Sequence, residues 1–294
     1  MHMKQLLSAA STALLIALSA CDAPVKNADA AAVTTRNYGP TLKLGNGNVR
    51  AYVTVDARDP KVPVEIGVAL SEGAMENLPK AMPGHSEHDM LAMNSWDLQL
   101  PTQNPTPYKF VGFGWNPAGH EPPGVYDLPH FDFHFFRVGT DVKNSIVPSD
   151  SQWDAKSGAY PPQEQRIPFY IDAATAAKME PGKASVPMMG MHWLDVRSPE
   201  LQGLAGKPND FKQFTKTFIF GSWDGAFIFE EPMITRAYLM SKKAEKDPAK
   251  RDELIAIPTQ AKYALSGFYP QAYRISYDSQ AKEYRVALTQ LTLR

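Results

Sequence analysis

Alternating apolar and polar positions dominate the chain from residue 48 onward. The clearest runs are VRAYVTVDARDPKVPVEIGVAL, TFIFGSWDGAFIFEEPMI and AYRISYDSQAKEYRVALTQL. Each holds two β-rich segments around a polar turn, which is the pattern of a β-hairpin. In the second run Asp224-Gly225 suits a tight turn, because both residues tolerate a positive φ. The three runs therefore predict three antiparallel hairpins.

Helical patterns are short and few. IDAATAAKME and TRAYLMSKKAEKD favour helices, whereas NPAGHEPPG must be a loop because it holds three prolines and two glycines. Many short strands with proline-rich connections are typical of stacked or closed sheets. The predicted fold class is mainly β (α+β), an antiparallel sandwich or barrel-like arrangement with a few short helices.

The N-terminal segment has a different character from the rest of the chain. MHMKQLLSAASTALLIALSAC has one basic residue, a short apolar run and small residues before its cysteine, which is typical of a secretory signal. The residues that follow are small and polar, with no periodicity. We predict a signal peptide at residues 1–20, a flexible tether at 21–40 and a β-rich domain at 41–294, built as one unit or as two subdomains.

Cys21 is the only cysteine of the chain, and Leu18-Ser19-Ala20 before it completes a bacterial lipobox. In such a motif the cysteine is lipidated and becomes the new N-terminus. We therefore expect a lipoprotein of the cell envelope. Its lipid would anchor it in a membrane, and its folded domain would face the periplasm. Asp22 resembles the signal that retains lipoproteins in the inner membrane. An ordinary signal peptide with a chance cysteine is the alternative.

Composition excludes several classes of function. A single cysteine allows no internal disulfide, and its place in the lipobox leaves no cysteine nucleophile or cysteine metal ligand in the mature domain. The net charge of -1 gives no electrostatic case for nucleic acid. The sequence has no Walker loop, dinucleotide-binding glycine motif, G-x-S-x-G elbow or H-E-x-x-H helix.

The stretch VYDLPHFDFHFFR carries the strongest candidate chemistry. His130, Asp132 and His134 fall on one face of the predicted strand, and the phenylalanines between them fall on the other. Positions two apart on a strand are about 7 Å apart and positions four apart about 13.5 Å. The natural pairs are therefore His130 with Asp132, or Asp132 with His134.

Three other arrangements of this row are open. A β-bulge would bring all three side chains together. Asp132 could instead orient one imidazole while the other holds an ion. The third arrangement is a polar row that lines a barrel or faces water and binds nothing.

Further ligands could come from other segments. His120 precedes the strand in the loop GHEPPG, and His192 lies in VPMMGMHWLD beside Asp195. Zinc is the first choice of ion; the methionines at 188, 189 and 191 make copper the second, because thioethers prefer soft ions. His85 and His88 are lesser candidates in a polar segment. Glu230 and Glu231 are adjacent on a predicted strand and must point to opposite faces, so they are not an acid/base couple. Glu231, before Pro232, is still a candidate for a single inward carboxylate.

Long motifs also carry a resemblance to a known family. GWNPAGHEPPGVYDLPHFDFHFF, MGMHWLD, FGSWDGAFIFEEPMIT and GNGNVRAYVTVD with PVEIGVALSEGAMENLP resemble a bacterial domain family of unknown function. The structural type member of that family is a thermophile protein under extracytoplasmic sigma-factor control. The resemblance spans nearly the whole mature chain and implies an exported, β-rich, oligomeric protein with no established activity. The shared histidine segments correspond here to His120, His130, His134 and His192.

These observations lead to three hypotheses. The first is a membrane-anchored envelope lipoprotein of unknown activity with a His/Asp divalent-metal site, where a metal-activated water would be the simplest catalyst. The second is a non-enzymatic envelope binding or assembly protein, a homo-oligomer in the simplest case, whose histidines only support the core. The third is a metal-free hydrolase that uses a His–Asp dyad.

Overall fold

β-Strands predominate in the computed structural model, which describes residues 33–82 and 92–294. In chain order the strands are β1 (Thr34–Tyr38), β2 (Leu42–Leu44), β3 (Gly47–Asp56), β4 (Pro63–Ser71), β5 (Asn94–Gln99), β6 (Phe110–Asn116), β7 (His130–Phe136), β8 (Tyr170–Asp172), β9 (Met191–Asp195), β10 (Lys216–Trp223), β11 (Ala226–Thr235), β12 (Asp252–Ala256), β13 (Phe268–Tyr269), β14 (Ala272–Asp278), β15 (Glu283–Thr289) and β16 (Thr292–Leu293). The α-helices are α1 (Thr140–Ser145), α2 (Trp153–Gly158), α3 (Ala173–Ala177), α4 (Pro181–Ala184), α5 (Arg236–Ala244) and α6 (Pro248–Arg251). Short 3-10 turns lie at Glu72–Met75, Gln163–Gln165, Pro199–Leu201 and Pro208–Asp210.

Two seven-stranded antiparallel sheets organise the domain. The first sheet has the order β1-β3-β4-β15-β14-β12, with β2 beside β3. The second sheet has the order β5-β6-β7-β11-β10-β9-β8. A two-stranded sheet, β13-β16, accompanies them. The mainly β prediction is confirmed, and in the described chain the two large sheets are separate rather than parts of one barrel.

The three predicted hairpins are present as β3/β4, β10/β11 and β14/β15. In the turn of the second, Asp224 has φ 47° and Gly225 has φ 81°. Both angles lie in the left-handed region that a two-residue hairpin turn uses, so the Asp-Gly pair acts as its sequence indicates. Just before this turn, the register of β10 against β11 shifts between Gly221 and Ser222.

The main core lies between the two large sheets. Val53, Ile66, Val68 and Val286 of the first sheet belong to the same apolar cluster as Phe113, Phe131, Phe133 and Phe135 of the second. The ring of Phe113 lies 5.6 Å from that of Phe131 and 5.5 Å from that of Phe133. The aromatic face of β7 is therefore the inner face of the second sheet.

The polar face of β7 points away from this core, but it does not face water. Every residue of β7 is buried, including His130, Asp132 and His134. Two smaller apolar clusters cover this outer face, one with Ile146, Trp153 and Met189 and the other with Val125, Tyr126 and Phe214. Connecting segments thus form a third layer over the second sheet, and the polar row is enclosed beneath them.

Residues Val33–Arg294 form one compact unit. The predicted signal peptide, Cys21 and Asp22 lie outside the described residues, as do His85 and His88. Within the segment predicted as a tether, Thr34–Tyr38 pairs with β3. These residues belong to the folded domain, which agrees with the strand preference of threonine and tyrosine. In the part of the chain that the structure describes, no helix is long and apolar enough to cross a membrane.

Candidate metal centre

Strand register places the polar side chains of the second sheet on its outer face. On β6, Asn116 pairs with His130, Gly114 with Asp132 and Gly112 with His134. The two glycines leave space beside Asp132 and His134, where a larger residue would crowd the row. A Cβ on Gly114 would lie 3.3 Å from the Cβ and the Oδ2 of Asp132.

The first group of ligand atoms comes from His120, His130 and Asp132. His130 Nε2 lies 3.2 Å from Asp132 Oδ1, and His120 Nε2 lies 4.0 Å from Asp132 Oδ2. The two imidazole rings meet edge to face with their centroids 4.7 Å apart. All three residues are buried. His120 thus folds over the row from the loop before β7.

The second group comes from His134, His192 and Glu231. His134 Nε2 lies 3.2 Å from Glu231 Oε1, and His192 Nε2 lies 3.6 Å from Glu231 Oε2. These residues stand on β7, β9 and β11. The three strands present them on one face because Met233 pairs with Asp132, which brings Glu231 level with His134. The carboxylate therefore lies between two imidazoles that are distant in sequence.

All four imidazoles are anchored through the backbone. Their partners are the carbonyls of Glu121 for His120 at 2.7 Å, Leu128 for His130 at 2.7 Å and Gly112 for His134 at 3.3 Å, and the backbone of Gly190 for His192. In the first three the Nδ1 atom faces a carbonyl, so Nδ1 must carry the proton and donate it. A neutral ring then presents an unprotonated Nε2 to the carboxylate, which is the orientation that metal-ligating histidines adopt.

Three atoms at the centre of this arrangement have no hydrogen-bond partner. They are Asp132 Oδ1, His134 Nε2 and Glu231 Oε2, and all three are inaccessible to solvent. Buried polar atoms without partners are costly, and most proteins satisfy them. Here ring nitrogens and carboxylate oxygens, the atoms that bind cations, lie 3.2–3.6 Å from one another. One cation in each of the two groups would satisfy these atoms.

Burial lowers the pKa of three of the four histidines and so favours their neutral form. It lowers the pKa of His120 to about 4 and that of His192 to about 3, and it also lowers the pKa of His134. Neutral imidazole is the form that binds metal ions. At neutral pH these three rings are therefore already in the ligand form, and no proton has to leave them.

The pKa values of the two carboxyl groups, Asp132 and Glu231, are shifted in opposite directions. Burial raises the pKa of Glu231 well above its ordinary value, and the charge of Asp132 adds to this effect. Burial would also raise the pKa of Asp132, but the neighbouring His130 and His120 reverse this and lower it below the ordinary value. In the 3.2 Å contact between Glu231 and His134, burial therefore disfavours the charged form of both partners.

Aromatic rings pack against the imidazoles of both groups. The ring of Phe229 lies 4.9 Å from that of His134 and 5.5 Å from that of His192, and Phe136 stacks on His134 at 5.9 Å. Phe214 meets His130 edge to face at 5.3 Å. These apolar walls exclude water and fix the imidazole planes.

The structure brings together the five residues singled out in the sequence, but in two sets. The predicted His130–Asp132 pair is present, whereas His134 turns to Glu231 instead of Asp132. The β6–β7 register runs without a shift, so no bulge draws the row together. Both glutamates of the pair are buried: Glu231 lies on the outer face with His134, and Glu230 lies on the inner face, where it accepts a hydrogen bond from Arg137.

Other sequence candidates lie apart from the two groups. Asp195 bonds Arg197 near the surface. Met188 is exposed, and Met191 occupies the face of β9 opposite to His192. Met189 is buried in the apolar cluster with Phe136 and Phe229, over the same face as His192, so copper stays the second choice of ion. Sequence reasoning missed Asn116, which only the register of β6 against β7 places beside His130.

Comparison with known proteins gives one match. Residues 62–115 match the model of a family described as TTHB210-like, hypothetical protein TTHB210. The chain contains a TTHB210-like domain over those residues. The match is shorter than the resemblance expected from the sequence and ends just before Asn116, so it includes Gly112 and Gly114 but none of the four histidines. No curated protein and no solved structure matches the chain.

Proposed function

We propose that this protein binds two divalent transition-metal ions, one in each group of two histidines and one carboxylate. The observation that carries the proposal is the orientation of the imidazoles. Each is held from behind by the backbone, so that its Nε2 is aimed at a buried carboxylate. Asp132 Oδ1, His134 Nε2 and Glu231 Oε2 meet no hydrogen-bond partner there, and a cation in each group would satisfy them.

The spacing of the ligand atoms supports an ion the size of zinc. Ligand atoms about 2.1 Å from a tetrahedral ion are about 3.4 Å apart. The N–O separations of 3.2 Å, 3.6 Å and 4.0 Å lie around that value. Imidazole and carboxylate together suit zinc, and copper is the second choice.

A shared proton is the alternative to a metal ion. The neutral Glu231 could donate its proton to His134 Nε2, which would satisfy that pair. It would still leave Glu231 Oε2 facing His192 Nε2 at 3.6 Å. One proton cannot satisfy both contacts, whereas one cation can. This argument favours metal binding over histidines that only support the core.

A metal-free hydrolase is the least supported of the three hypotheses. A His–Asp dyad needs a nucleophile or a water beside the imidazole. Among the described contacts, the ring nitrogens meet backbone groups, carboxylates and the amide of Asn116 rather than a hydroxyl group. A bound divalent ion would instead supply Lewis acidity and, with water in a free position, a hydroxide near neutral pH.

The proposed setting is the cell envelope. Lipidation at Cys21 would tether the domain to a membrane, and Asp22 supports retention at the inner membrane. The support for this step is the sequence of the N-terminal segment alone. Metabolic labelling with a radioactive or alkyne fatty acid should mark the wild-type protein and leave Cys21→Ser unlabelled. Labelling of both forms would contradict lipidation at this residue.

Elemental analysis of the purified full chain tests the metal-binding proposal. We expect two zinc ions per chain, a lower melting temperature after treatment with chelator and recovery when zinc is restored. His134→Ala should retain one ion. Asp195→Asn, which changes a carboxylate on the same strand as His192 but outside both groups, should retain two. A chain that neither carries nor takes up stoichiometric metal would refute the proposal.

A further inference from the structure

Asn116 makes the first group different from the second. Its side chain is 1% exposed and lies across the β6–β7 pair from His130. The amide nitrogen lies 2.6 Å from Asp132 Oδ2 and 3.2 Å from His130 Nε2. Without an ion, the amide thus donates to both ligand atoms and partly fills the position between them.

If an ion occupied the first group, the Asn116 amide nitrogen would no longer be a suitable neighbour for Asp132 and His130. Asp132 and His130 would give their lone pairs to the ion, and an NH2 group would then point at a positive charge. Rotating the amide by about 180° exchanges its nitrogen for its oxygen with little change in shape. The Asn116 carbonyl oxygen would become a fourth ligand beside His120, His130 and Asp132. Four protein ligands make a closed, tetrahedral site of the structural type.

No fourth side chain like Asn116 has a described contact with the second group, and Asp97, on the same face across Gly112, is paired with Lys143. Glycines occupy the positions beside two of its ligands, with Gly112 paired to His134 and Gly221 paired to His192. The aromatic rings that pack on these imidazoles, Phe136 and Phe229, offer no lone pair. Three protein ligands with a free position are typical of catalytic or exchangeable sites.

The solvent exposure of the ligand histidines also differs between the two groups. His192 is 7% exposed, whereas His120, His130 and His134 are 0–3% exposed. All six ligand residues are buried, and His192 of the second group is the most exposed of them. An ion or a small external ligand would meet the least resistance on that side.

We propose that the two groups hold ions of unequal function. The first group, completed by Asn116, keeps its ion as part of the fold. The second holds an exchangeable ion whose free position accepts a small external ligand with a lone pair, such as water or a monovalent anion. This inference rests on the proposed metal binding.

Release of zinc to a chromogenic chelator tests the inequality. The wild-type protein should release one ion rapidly and one slowly. Asn116→Ala should accelerate the slow phase by roughly tenfold or more, the scale seen when a group supporting a metal site is removed. Asn116→Asp retains an oxygen at this position and should restore slow release. A single phase that releases both ions, or a slow phase indifferent to Asn116→Ala, would overturn the inference.

Cobalt substitution gives a second readout that does not depend on a variant of Asn116. Azide added to the doubly cobalt-loaded wild-type protein should change the visible absorption of one ion only, and His134→Ala should abolish that change. Two ions that respond equally, or an azide response that survives His134→Ala, would contradict the inference while leaving metal binding intact. A protein that binds no metal would instead refute the proposed function.

Discussion

Glu231 on β11 and His134 on β7 face each other across adjacent strands, with Oε1 of the glutamate 3.2 Å from Nε2 of the imidazole. The outer oxygen of the same carboxylate has no hydrogen-bond partner and lies 3.6 Å from His192 Nε2. Glu231 is therefore the one residue that joins both imidazoles of the second group. Its neighbour Glu230 points to the other face of β11 and bonds Arg137.

The two adjacent glutamates offer a matched pair of variants. Glu231→Gln should cost the protein one of its two ions, because a neutral amide replaces the anionic ligand of the second group. Glu230→Gln should keep both ions. It should instead lower the free energy of unfolding by on the order of 3 kcal/mol, since it leaves the buried charge of Arg137 without its partner. Elemental analysis and urea unfolding measure the two effects separately.

Two results with these glutamate variants would contradict the prediction. If Glu230→Gln lost an ion and Glu231→Gln kept both, the assignment of faces on β11 would be wrong. If both variants kept two ions, Glu231 would not be a ligand.

Metal uptake by the second group should release a proton from Glu231. Burial raises the pKa of this carboxyl well above its ordinary value, which favours its protonated form in the metal-free protein, whereas a metal ligand must be ionised. Affinity for zinc should therefore rise with pH until the pH exceeds the pKa of Glu231. Calorimetry in two buffers of different ionisation enthalpy counts the protons. The wild type should release about one more proton per chain than Glu231→Gln; equal release from both would contradict the prediction.

The buried histidines should make the metal-free protein sensitive to acid. In the unfolded chain an imidazole binds its proton near pH 6.5, but in the fold burial lowers the pKa of His120 to about 4 and that of His192 to about 3. The unfolded state thus binds more protons between these values, and stability falls as the pH falls through that window. Above about pH 6.5 the contribution of the two residues is fully present.

Unfolding in urea with chelator present, at several pH values, measures this dependence. Each of the two histidines should contribute a slope of up to about 1.4 kcal/mol per pH unit inside the window. His192→Gln removes one titrating group, so its slope should be smaller by that amount even if its stability is lower throughout. An unchanged slope would show that His192 titrates alike in both states.

Much of this architecture can be predicted from local sequence. The hairpins follow from alternation, and the Asp224-Gly225 turn has the backbone that its residues favour. The contact between His130 and Asp132 follows from their spacing, because positions two apart on one strand are within reach of each other.

The division into two groups could not be predicted in this way. It depends on which strands lie beside β7 and in what register, and that is set by the order of the sheet rather than by any single segment. Directly opposite residues on antiparallel strands are only about 4.5–5.5 Å apart, which is closer than neighbours along the strand. This is why His134 meets Glu231 and why Asn116 reaches His130. Alternation also gave no sign that the polar face of β7 would be covered.

Gly221 on β10 offers a test of how the second group is held in place. A Cβ at this position would lie 2.0 Å from the Cζ atom of Phe229. The Phe229 ring is fully buried and packs on Phe136, His134 and His192, so it cannot move aside without disturbing the ligands. Gly221→Ala should therefore cost about 1–3 kcal/mol of stability, the usual range for overpacking. It should also speed the release of one ion.

Gly158 at the end of α2 is the matched control. A Cβ there would meet its nearest neighbour, Pro181 Cγ, at 3.7 Å, which is an ordinary contact. Gly158→Ala should leave both ions in place and change stability by less than about 1 kcal/mol, because it adds a methyl group to a helix with room for it. Thermal unfolding and chelator-release kinetics on the two variants provide the comparison. If Gly221→Ala behaved like Gly158→Ala in both measurements, Phe229 would not be the residue that holds His134 and His192 in position.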